Sequence, residues 1–345
     1  MPIKDSISIV LCGGAGQGIQ TIEAFLTRLF KIAGYPIFAT KEYMSRIRGG
    51  SNSTEIRISS HAVAAFTDKI DILIPLDSEA LPHLQGRITA ETRILGEKAK
   101  ALPTEGMVFF DIPFAKIAAE IGNPVLVNTV ASGAVAGLFA IAPELIHESI
   151  RQFFAAKSQQ IINQNLEAVE RGYWLGMELR NSGQILLDMP VTSAIKDHII
   201  VSGAEAVALG AVAGGCNFIS SYPMSPGTGV LTYLAQYSQN FPIVVEQAED
   251  EISAINMALG AWYAGARAIV TTSGGGFDLM TEGVSLAGMI ESPVVIHVAQ
   301  RPGPATGLPT RTEQADLNLV LYAGHGEFPR IILAPGNISE AFYLT

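Results

Sequence analysis

The second half of the chain alternates short apolar segments with helical ones, and this alternating pattern limits the possible folds more than any other feature of the sequence. Four segments have the length and composition of buried strands: residues 218–221, 243–246, 268–272 and 293–299. Helical patterns or glycine-rich turns separate them, and strands that alternate with helices form parallel sheets with helices on both faces. The sequence therefore predicts an α/β domain of this kind over residues 198–345.

The first half opens with a strand, a glycine-rich turn and a helix. Residues 7–11 are apolar, residues 13–18 read GGAGQG, and apolar residues then recur at helical spacing up to residue 33. We also predict strands at 55–58, 70–76 and 125–127, a small-residue helix after the last of these, and a long polar helix from 158 to 176 or beyond. These elements predict a first α/β domain over 1–185, and 186–197 would form a linker.

The last residues predict one more helix, which would begin after Asn337 and end at Tyr343. A free helix of about two turns is marginal in water. We therefore expect either that the native polypeptide continues beyond Thr345 or that this end docks on a part that the chain lacks.

Composition and charge exclude several classes of function. The 345 residues carry a formal net charge of −10 and contain no basic stripe, which argues against nucleic acid as a partner. With Cys12 and Cys216 alone, and no C-x-x-C pair, the chain cannot form a disulfide framework or hold an iron–sulfur cluster by itself. We interpret both as reduced core thiols of a cytoplasmic protein. Residues 124–146 contain small and polar residues that favour a buried helix over a membrane span.

Polar residues follow three of the predicted strands in the second half, at the edge where open parallel sheets bind ligands. The loop 222–229 is stiffened by two prolines and presents the hydroxyls of Ser225 and Thr228, so it either binds a small polar ligand or is a rigid turn. Glu251 comes one residue before the predicted apolar face of a helix, and it either caps that helix in solvent or points into a buried crevice. Arg301 either binds a carboxylate or forms a structural ion pair.

The glycine-rich turn of the first half matches neither common nucleotide-binding motif. Its spacing is not G-x-G-x-x-G, and no Lys-Ser/Thr follows, which excludes a P-loop. The turn, with Gly14, Gly16 and Gly18, could present backbone N–H groups to an anion at the helix start, or it could simply allow close helix packing. Arg46 and Arg48 belong to a small basic cluster that could meet phosphates or a partner subunit.

Taken together, these motifs resemble those of the 2-oxoacid:ferredoxin oxidoreductases, and specifically an alpha subunit with a gamma domain fused at its N-terminus. The resemblance covers nearly the whole chain. GGAGQG at 13–18 and RIRGG at 46–50 are similar to the gamma domain. The pyrimidine-binding domain of the alpha subunit is matched by YPMSP at 222–226, EDE at 249–251, QRPGP at 300–304, EQADL at 313–317 and GHGE at 324–327.

The resemblance implies a fold and a reaction. The fold would be an N-terminal α/β gamma-type domain followed by a thiamine-diphosphate pyrimidine-binding domain with a parallel sheet. In the reaction, a 2-oxoacid, coenzyme A and oxidised ferredoxin give acyl-CoA, carbon dioxide and reduced ferredoxin. 2-Oxoglutarate is the favoured substrate, and pyruvate or a branched-chain oxoacid are alternatives.

The resemblance also implies roles for individual residues. Glu251 would hydrogen-bond N1′ of the cofactor's aminopyrimidine, with Tyr222 and Pro223 as further cofactor-binding residues. Ser225, where the family usually has threonine, would bind the substrate together with Thr228 and Arg301. The substrate's carboxylate and keto oxygen are the groups they would contact. Gly14, Gly16, Gly18, Arg46 and Arg48 would contact coenzyme A phosphates or a partner.

Two features of such enzymes are absent from the sequence. There is no Gly-Asp-Gly followed by the asparagine that holds magnesium and diphosphate, and there are no cluster cysteines. The resemblance therefore implies a beta subunit that carries Mg²⁺, the diphosphate site and a [4Fe-4S] cluster, in a heterodimer or a dimer of heterodimers. The alternatives are a non-catalytic assembly subunit and a nucleotide-dependent oxidoreductase.

Overall fold

The structure, a computed structural model, describes residues 5–14, 19–42, 50–305, 308 and 313–345. The chain divides into two compact units, Met1–Ile199 and Ile200–Thr345. Residues 186–197, which we predicted as a linker, pack on the first unit. There Met189 and Ile195 are buried, and Thr192 N donates to Gly34 O at 2.8 Å.

One sheet organises the first unit. Its strands are β1 (Ser6–Gly14), β2 (Ile37–Glu42), β3 (Ser51–Ser59), β4 (Ile72–Pro75), β5 (Arg93–Gly96) and β6 (Val108–Asp111). They lie in the order β2-β3-β1-β4-β5-β6, with β3 antiparallel to both β1 and β2 and the remaining pairs parallel. The strands predicted at 7–11, 55–58 and 70–76 are confirmed as β1, β3 and β4.

Helices cover this sheet. They are α1 (Ile19–Ile32), α2 (Ala80–His83), α3 (Lys98–Ala101), α4 (Phe114–Glu120), α5 (Val127–Leu138), α6 (Pro143–Phe153) and α7 (Gln159–Asn181). The strand predicted at 125–127 is wrong, because Pro124–Leu126 is a 3₁₀ turn that leads into α5. The side chain of Asn123 accepts a hydrogen bond from Val125 N, and Pro124 fixes the first turn. These two signals of a helix start outweigh the β-branched residues.

The helices α5 and α7 cross with their backbones in contact. Four glycines line the crossing: Gly133, Gly137, Gly172 and Gly176. A Cβ at any of them would stand less than 3.0 Å from a backbone oxygen of the facing helix. The small-residue segment is therefore the buried helix that we predicted. Among the described helices, none is long and apolar enough to cross a membrane.

The second unit has the parallel sheet that the alternating pattern predicted. Its strands are β7 (Phe218–Ser221), β8 (Val244–Gln247), β9 (Ala268–Ser273) and β10 (Val295–Ala299). They lie in the order β10-β9-β7-β8, and all three pairs are parallel. The helices are α8 (Gly203–Ala213), α9 (Thr228–Tyr237), α10 (Glu251–Tyr263), α11 (Gly274–Leu279), α12 (Thr281–Met289), α13 (Leu317–Tyr322) and α14 (Ile338–Leu344).

Two apolar cores form in this unit, and α14 completes one of them. The first core contains residues of α8, α9 and α14, and the second contains residues of α10. Asn337 caps α14 by accepting a hydrogen bond from Glu340 N at 2.9 Å. Gly210 of α8 lies so close to Phe342 O that a Cβ would clash with it. The predicted last helix therefore exists, and it packs on α8 of its own unit.

Candidate functional site

The ends of the four parallel strands place the predicted site residues of the second unit at one edge of the sheet. The loop 222–229 follows β7, Glu251 follows β8, the helix α11 follows β9, and Arg301 follows β10. Because the carboxyl ends of parallel strands meet at the same edge, side chains from all four connections converge there. The contacts described below link them into one cluster.

Glu251 is the first residue of α10, and it is buried. The preceding Asp250 caps the helix in solvent by accepting a hydrogen bond from Ser253 N at 2.6 Å. Glu251 is only 3% exposed, and its Oε1 has no hydrogen-bond partner among the described residues. Burial raises the pKa of this carboxyl, and the charge of Asp250 raises it further. Of the two readings that the sequence left open, the structure shows the buried carboxylate.

The periodicity of α10 placed its buried face one residue too late. We predicted that the apolar face would begin at Ile252, but Ile252 is exposed and Glu251 takes its place beside Ile255 and Ala258. A carboxylate at a position that packing would fill with an apolar side chain is costly unless something binds it. This placement therefore indicates a functional group.

Two further unpaired groups lie at the end of β9, and the sequence analysis missed both. Thr272 and Ser273 are fully buried, and their hydroxyls have no partner in the described part of the chain. A Cβ on Gly276 would stand 3.0 Å from Glu251 Oε1 and closer still to Thr272 Oγ1, so the two oxygens flank this glycine. Each unpaired buried group costs about 1–3 kcal/mol. The sequence signal that could have identified them is the run of three hydroxyl residues, 271–273, at the end of a central strand.

The loop 222–229 lies directly on β9. A Cβ on Gly227 would stand 2.5 Å from Thr272 O, so only glycine allows this approach. Ser225 and Tyr222 are exposed, and Pro223 and Thr228 are half-buried. The loop therefore presents its hydroxyls at the sheet edge while its middle is fixed to the strand.

Arg301 joins that loop to the end of β10. It is 9% exposed, and its Nη1 donates to Ser225 O at 2.9 Å. Its backbone N donates to Asp316 Oδ2 at 2.9 Å, whereas its Nε has no partner among the described residues. No ion pair of this guanidinium occurs in the described part of the chain, so the structural alternative is not what the structure shows.

Asp316 holds this arrangement together, a role that spacing did not reveal. Its carboxylate receives the Arg301 N–H, and its own N donates to Gln300 Oε1 at 3.1 Å. The carboxylate lies against Gly274, where a Cβ would overlap it. Asp316 therefore links the end of β10 to the start of α11.

We predicted that five residues of the first unit contact coenzyme A phosphates or a partner, and Gly14 is the one among them that the structure describes. Its N–H donates to Asp77 Oδ2 at 2.7 Å, so this N–H is already bonded to a carboxylate. Gly16, Gly18, Arg46 and Arg48 lie outside the described residues.

The two free thiols are those of core cysteines. Burial raises the pKa of Cys12 to about 12 and also raises that of Cys216. In the described ranges, no group of His, Cys, Asp and Glu could hold a metal ion.

Two family models match this chain, one in each unit. Residues 8–175 match pyruvate ferredoxin/flavodoxin oxidoreductase. Residues 209–345 match the thiamine diphosphate-binding domain of pyruvate flavodoxin/ferredoxin oxidoreductase. These matches define an oxidoreductase subunit in which a thiamine diphosphate-binding domain follows a separate α/β unit.

Relatives along the whole chain make the assignment narrower. The 2-oxoacid:ferredoxin oxidoreductase subunit alpha of a Sulfolobus species is 32% identical in an alignment of 398 positions. The alignment covers 97% of this chain and 61% of the relative. The 2-oxoglutarate synthase subunit KorA of Archaeoglobus fulgidus is 42% identical over 146 residues, 42% of each chain. The chain belongs to the 2-oxoacid:ferredoxin oxidoreductase family and corresponds to its alpha subunit, of which it spans about three fifths.

A solved structure agrees with this assignment. It is the 2-oxoglutarate:ferredoxin oxidoreductase from Magnetococcus marinus with 2-oxoglutarate, coenzyme A and succinyl-CoA bound. It matches with a TM-score of 0.88 at 32% identity, covering 99% of this chain and 60% of the other.

The residues of the second unit fit thiamine diphosphate. Its aminopyrimidine is a flat ring with nitrogen donors and acceptors. Glu251 Oε1 and Thr272 Oγ1, both buried and unpaired among the described residues, flank Gly276 and offer such a ring polar partners. Burial without partners is what a site looks like when its ligand supplies the missing hydrogen bonds.

Proposed function

We propose that this chain acts in a 2-oxoacid:ferredoxin oxidoreductase. The enzyme converts a 2-oxoacid and coenzyme A to acyl-CoA and carbon dioxide, and the two electrons released pass to ferredoxin. 2-Oxoglutarate is the favoured substrate, since relatives named for it include one that is 42% identical over 146 residues. Pyruvate and branched-chain oxoacids are the alternative substrates.

One observation carries this proposal: the buried, unpaired carboxylate of Glu251 in the half that matches the thiamine diphosphate-binding domain. An exposed acid at a helix start would have no such role. When bound, thiamine diphosphate supplies the electron sink that lets a 2-oxoacid lose carbon dioxide.

Glu251 holds a proton at N1′ of the aminopyrimidine. Its raised pKa keeps the carboxyl protonated at higher pH than an exposed glutamate, which favours sharing of that proton with a ring nitrogen. Tyr222 and Pro223, in the loop after β7, would be further residues that hold the same ring. Glu251 is the catalytic residue of this chain in the proposal.

Ser225, Thr228 and Arg301 bind the 2-oxoacid. The guanidinium of Arg301 is oriented by its bond to Ser225 O, and its unpaired Nε leaves a donor for a carboxylate. The hydroxyls of Ser225 and Thr228 lie on the same loop and can reach the keto oxygen. These residues bind and orient the substrate rather than transfer protons.

The remaining parts of the enzyme belong to other chains or to the first unit. The Mg²⁺ and diphosphate site and the [4Fe-4S] cluster lie on a beta subunit, which forms a heterodimer or a dimer of heterodimers with this chain. Gly16, Gly18, Arg46 and Arg48 contact coenzyme A phosphates or the partner, whereas the Gly14 N–H is engaged by Asp77. Two free thiols, Cys12 buried and Cys216 half-buried, favour a cytoplasmic location.

Reconstitution tests the proposal. The purified chain alone should bind thiamine diphosphate weakly and reduce no dye with any 2-oxoacid. Addition of the beta subunit should produce reduction that depends on the 2-oxoacid and on coenzyme A, and a panel of 2-oxoacids identifies the substrate. Turnover by the lone chain, or a complex that is inactive with the whole panel, would contradict the proposal.

A further inference from the structure

The loop 222–229 is fixed to the sheet at Gly227 by one side chain. Thr271, which is fully buried in β9, donates its hydroxyl hydrogen to Gly227 O at 3.1 Å. Within the loop, Thr228 N donates to Met224 O at 3.2 Å, and Val230 N donates to Gly227 O at 3.3 Å. The position of Gly227 therefore determines where this loop and the start of α9 lie.

His297 lies on the other side of the same hydroxyl. The parallel register of β9 and β10 places it beside Thr271, and its Nδ1 is 2.8 Å from Thr271 Oγ1. Burial lowers the pKa of this imidazole to about 4, so it is neutral at pH 7. Neither residue was singled out by the sequence, where a histidine inside an apolar strand has no obvious partner.

The hydrogen count decides the direction of these bonds. The Thr271 hydroxyl has one hydrogen, and Gly227 O can only accept, so the hydroxyl donates to the loop. The bond between Thr271 Oγ1 and His297 Nδ1 then needs its hydrogen from the ring. The imidazole therefore carries its hydrogen on Nδ1, and Nε2 remains an acceptor.

We propose that His297 is a positioning residue for substrate binding: acting through Thr271, it holds Gly227 and with it the loop that presents Ser225 and Thr228. The inference rests on the proposed function, because it takes this loop as the one that binds the 2-oxoacid. His297 and Thr271 lie on one face of the sheet, whereas the next side chain along β9, Thr272, points to the opposite face beside Glu251. The effect of His297 is therefore on substrate affinity.

Kinetics of the reconstituted complex test this. His297→Leu removes the ring donor and should raise KM for the 2-oxoacid about 3- to 10-fold, the worth of one hydrogen bond, with kcat nearly unchanged. His297→Asn, whose amide nitrogen can donate from a place close to Nδ1, should restore KM. Thr271→Val should raise KM by itself, and His297→Leu should add little to it, because both act through one hydroxyl.

The control is Ile296→Val, which loses a methylene group on the opposite face of β10. It should reduce stability without changing KM, so a general weakening of the strand can be told apart from loss of the donor. A KM unchanged in His297→Leu, or raised equally in Ile296→Val, would overturn the proposal.

A second readout needs no turnover. In the full chain, ¹⁵N NMR should show a protonated Nδ1 on His297, and hydrogen exchange at the amides of Thr228 and Val230 should be faster in His297→Leu than in Ile296→Val. An unprotonated Nδ1 or unchanged exchange would refute the positioning role. If the wild-type complex is inactive with every 2-oxoacid, the proposed function fails, whereas these two measurements still decide whether His297 holds the loop.

Discussion

Replacement of Gly172 by alanine tests the helix crossing of the first unit. The α5 and α7 backbones touch there, and a Cβ on Gly172 would stand less than 3.0 Å from Val130 O. Alanine gains about 1 kcal/mol over glycine in a helix interior. Forcing a methyl group into a tight contact costs about 3 kcal/mol, and a backbone neighbour cannot move aside as a side chain can. We therefore expect Gly172→Ala to lower the free energy of unfolding of the first unit by about 2 kcal/mol.

The two tryptophans allow each unit to be followed separately. Trp174 lies in α7 and Trp262 in the second unit, so urea unfolding of a Trp262→Phe background reports on the first unit. The control is Gly260→Ala in α10, measured through Trp262 in a Trp174→Phe background. No atom lies within 4 Å of a Cβ there, and this variant should gain about 0.5–1 kcal/mol. A Gly172→Ala variant as stable as its parent would refute the close crossing.

Two predictions concern the second unit. The pKa of His297 is about 4 when folded and 6.5 when unfolded, so the unfolded state binds the proton more tightly. Stability should fall by about 3 kcal/mol as the pH drops from above 6.5 through 4, and urea titrations of His297→Leu should lack this component. Thr272→Val removes an unpaired buried hydroxyl and should raise the free energy of unfolding by about 1 kcal/mol. Thr271→Val removes a hydroxyl that is hydrogen-bonded and should lower the free energy of unfolding. Equal effects of the two substitutions would contradict the assigned hydrogen bonds.

The alternating pattern located the strands of the second unit well because each is an apolar run bounded by turn residues. Phe218–Ser221 was predicted with its observed limits, β8 is shifted from its prediction by one residue at both ends, and β9 ends one residue later than predicted. The segment 125–127 shows where prediction of strands from short apolar runs fails. An apolar run of three residues predicts a strand and the entrance to a helix equally well, and the cap at Asn123 together with Pro124 distinguishes them.

The candidate site was predictable where one residue stands out at a strand end, as Glu251 and Arg301 do. The groups that hold them were not, because each acts across a long separation in sequence. Asp316 bonds to Arg301, and His297 bonds to Thr271 26 residues away. Local spacing contains no signal for such pairs. The burial of Glu251 was also undecided, since the start of α10 could be read one residue later.

The most direct test of the account compares two neighbouring acids. Glu251 is buried and unpaired, whereas Glu249 is exposed two residues earlier. In the reconstituted complex, we expect Glu251→Gln to lower kcat by about 10²–10⁴-fold through loss of a proton-transfer group, and Glu249→Gln to retain wild-type turnover. Wild-type kcat in Glu251→Gln would show that this carboxylate is not the group that serves the cofactor, and the assignment of the site would fail.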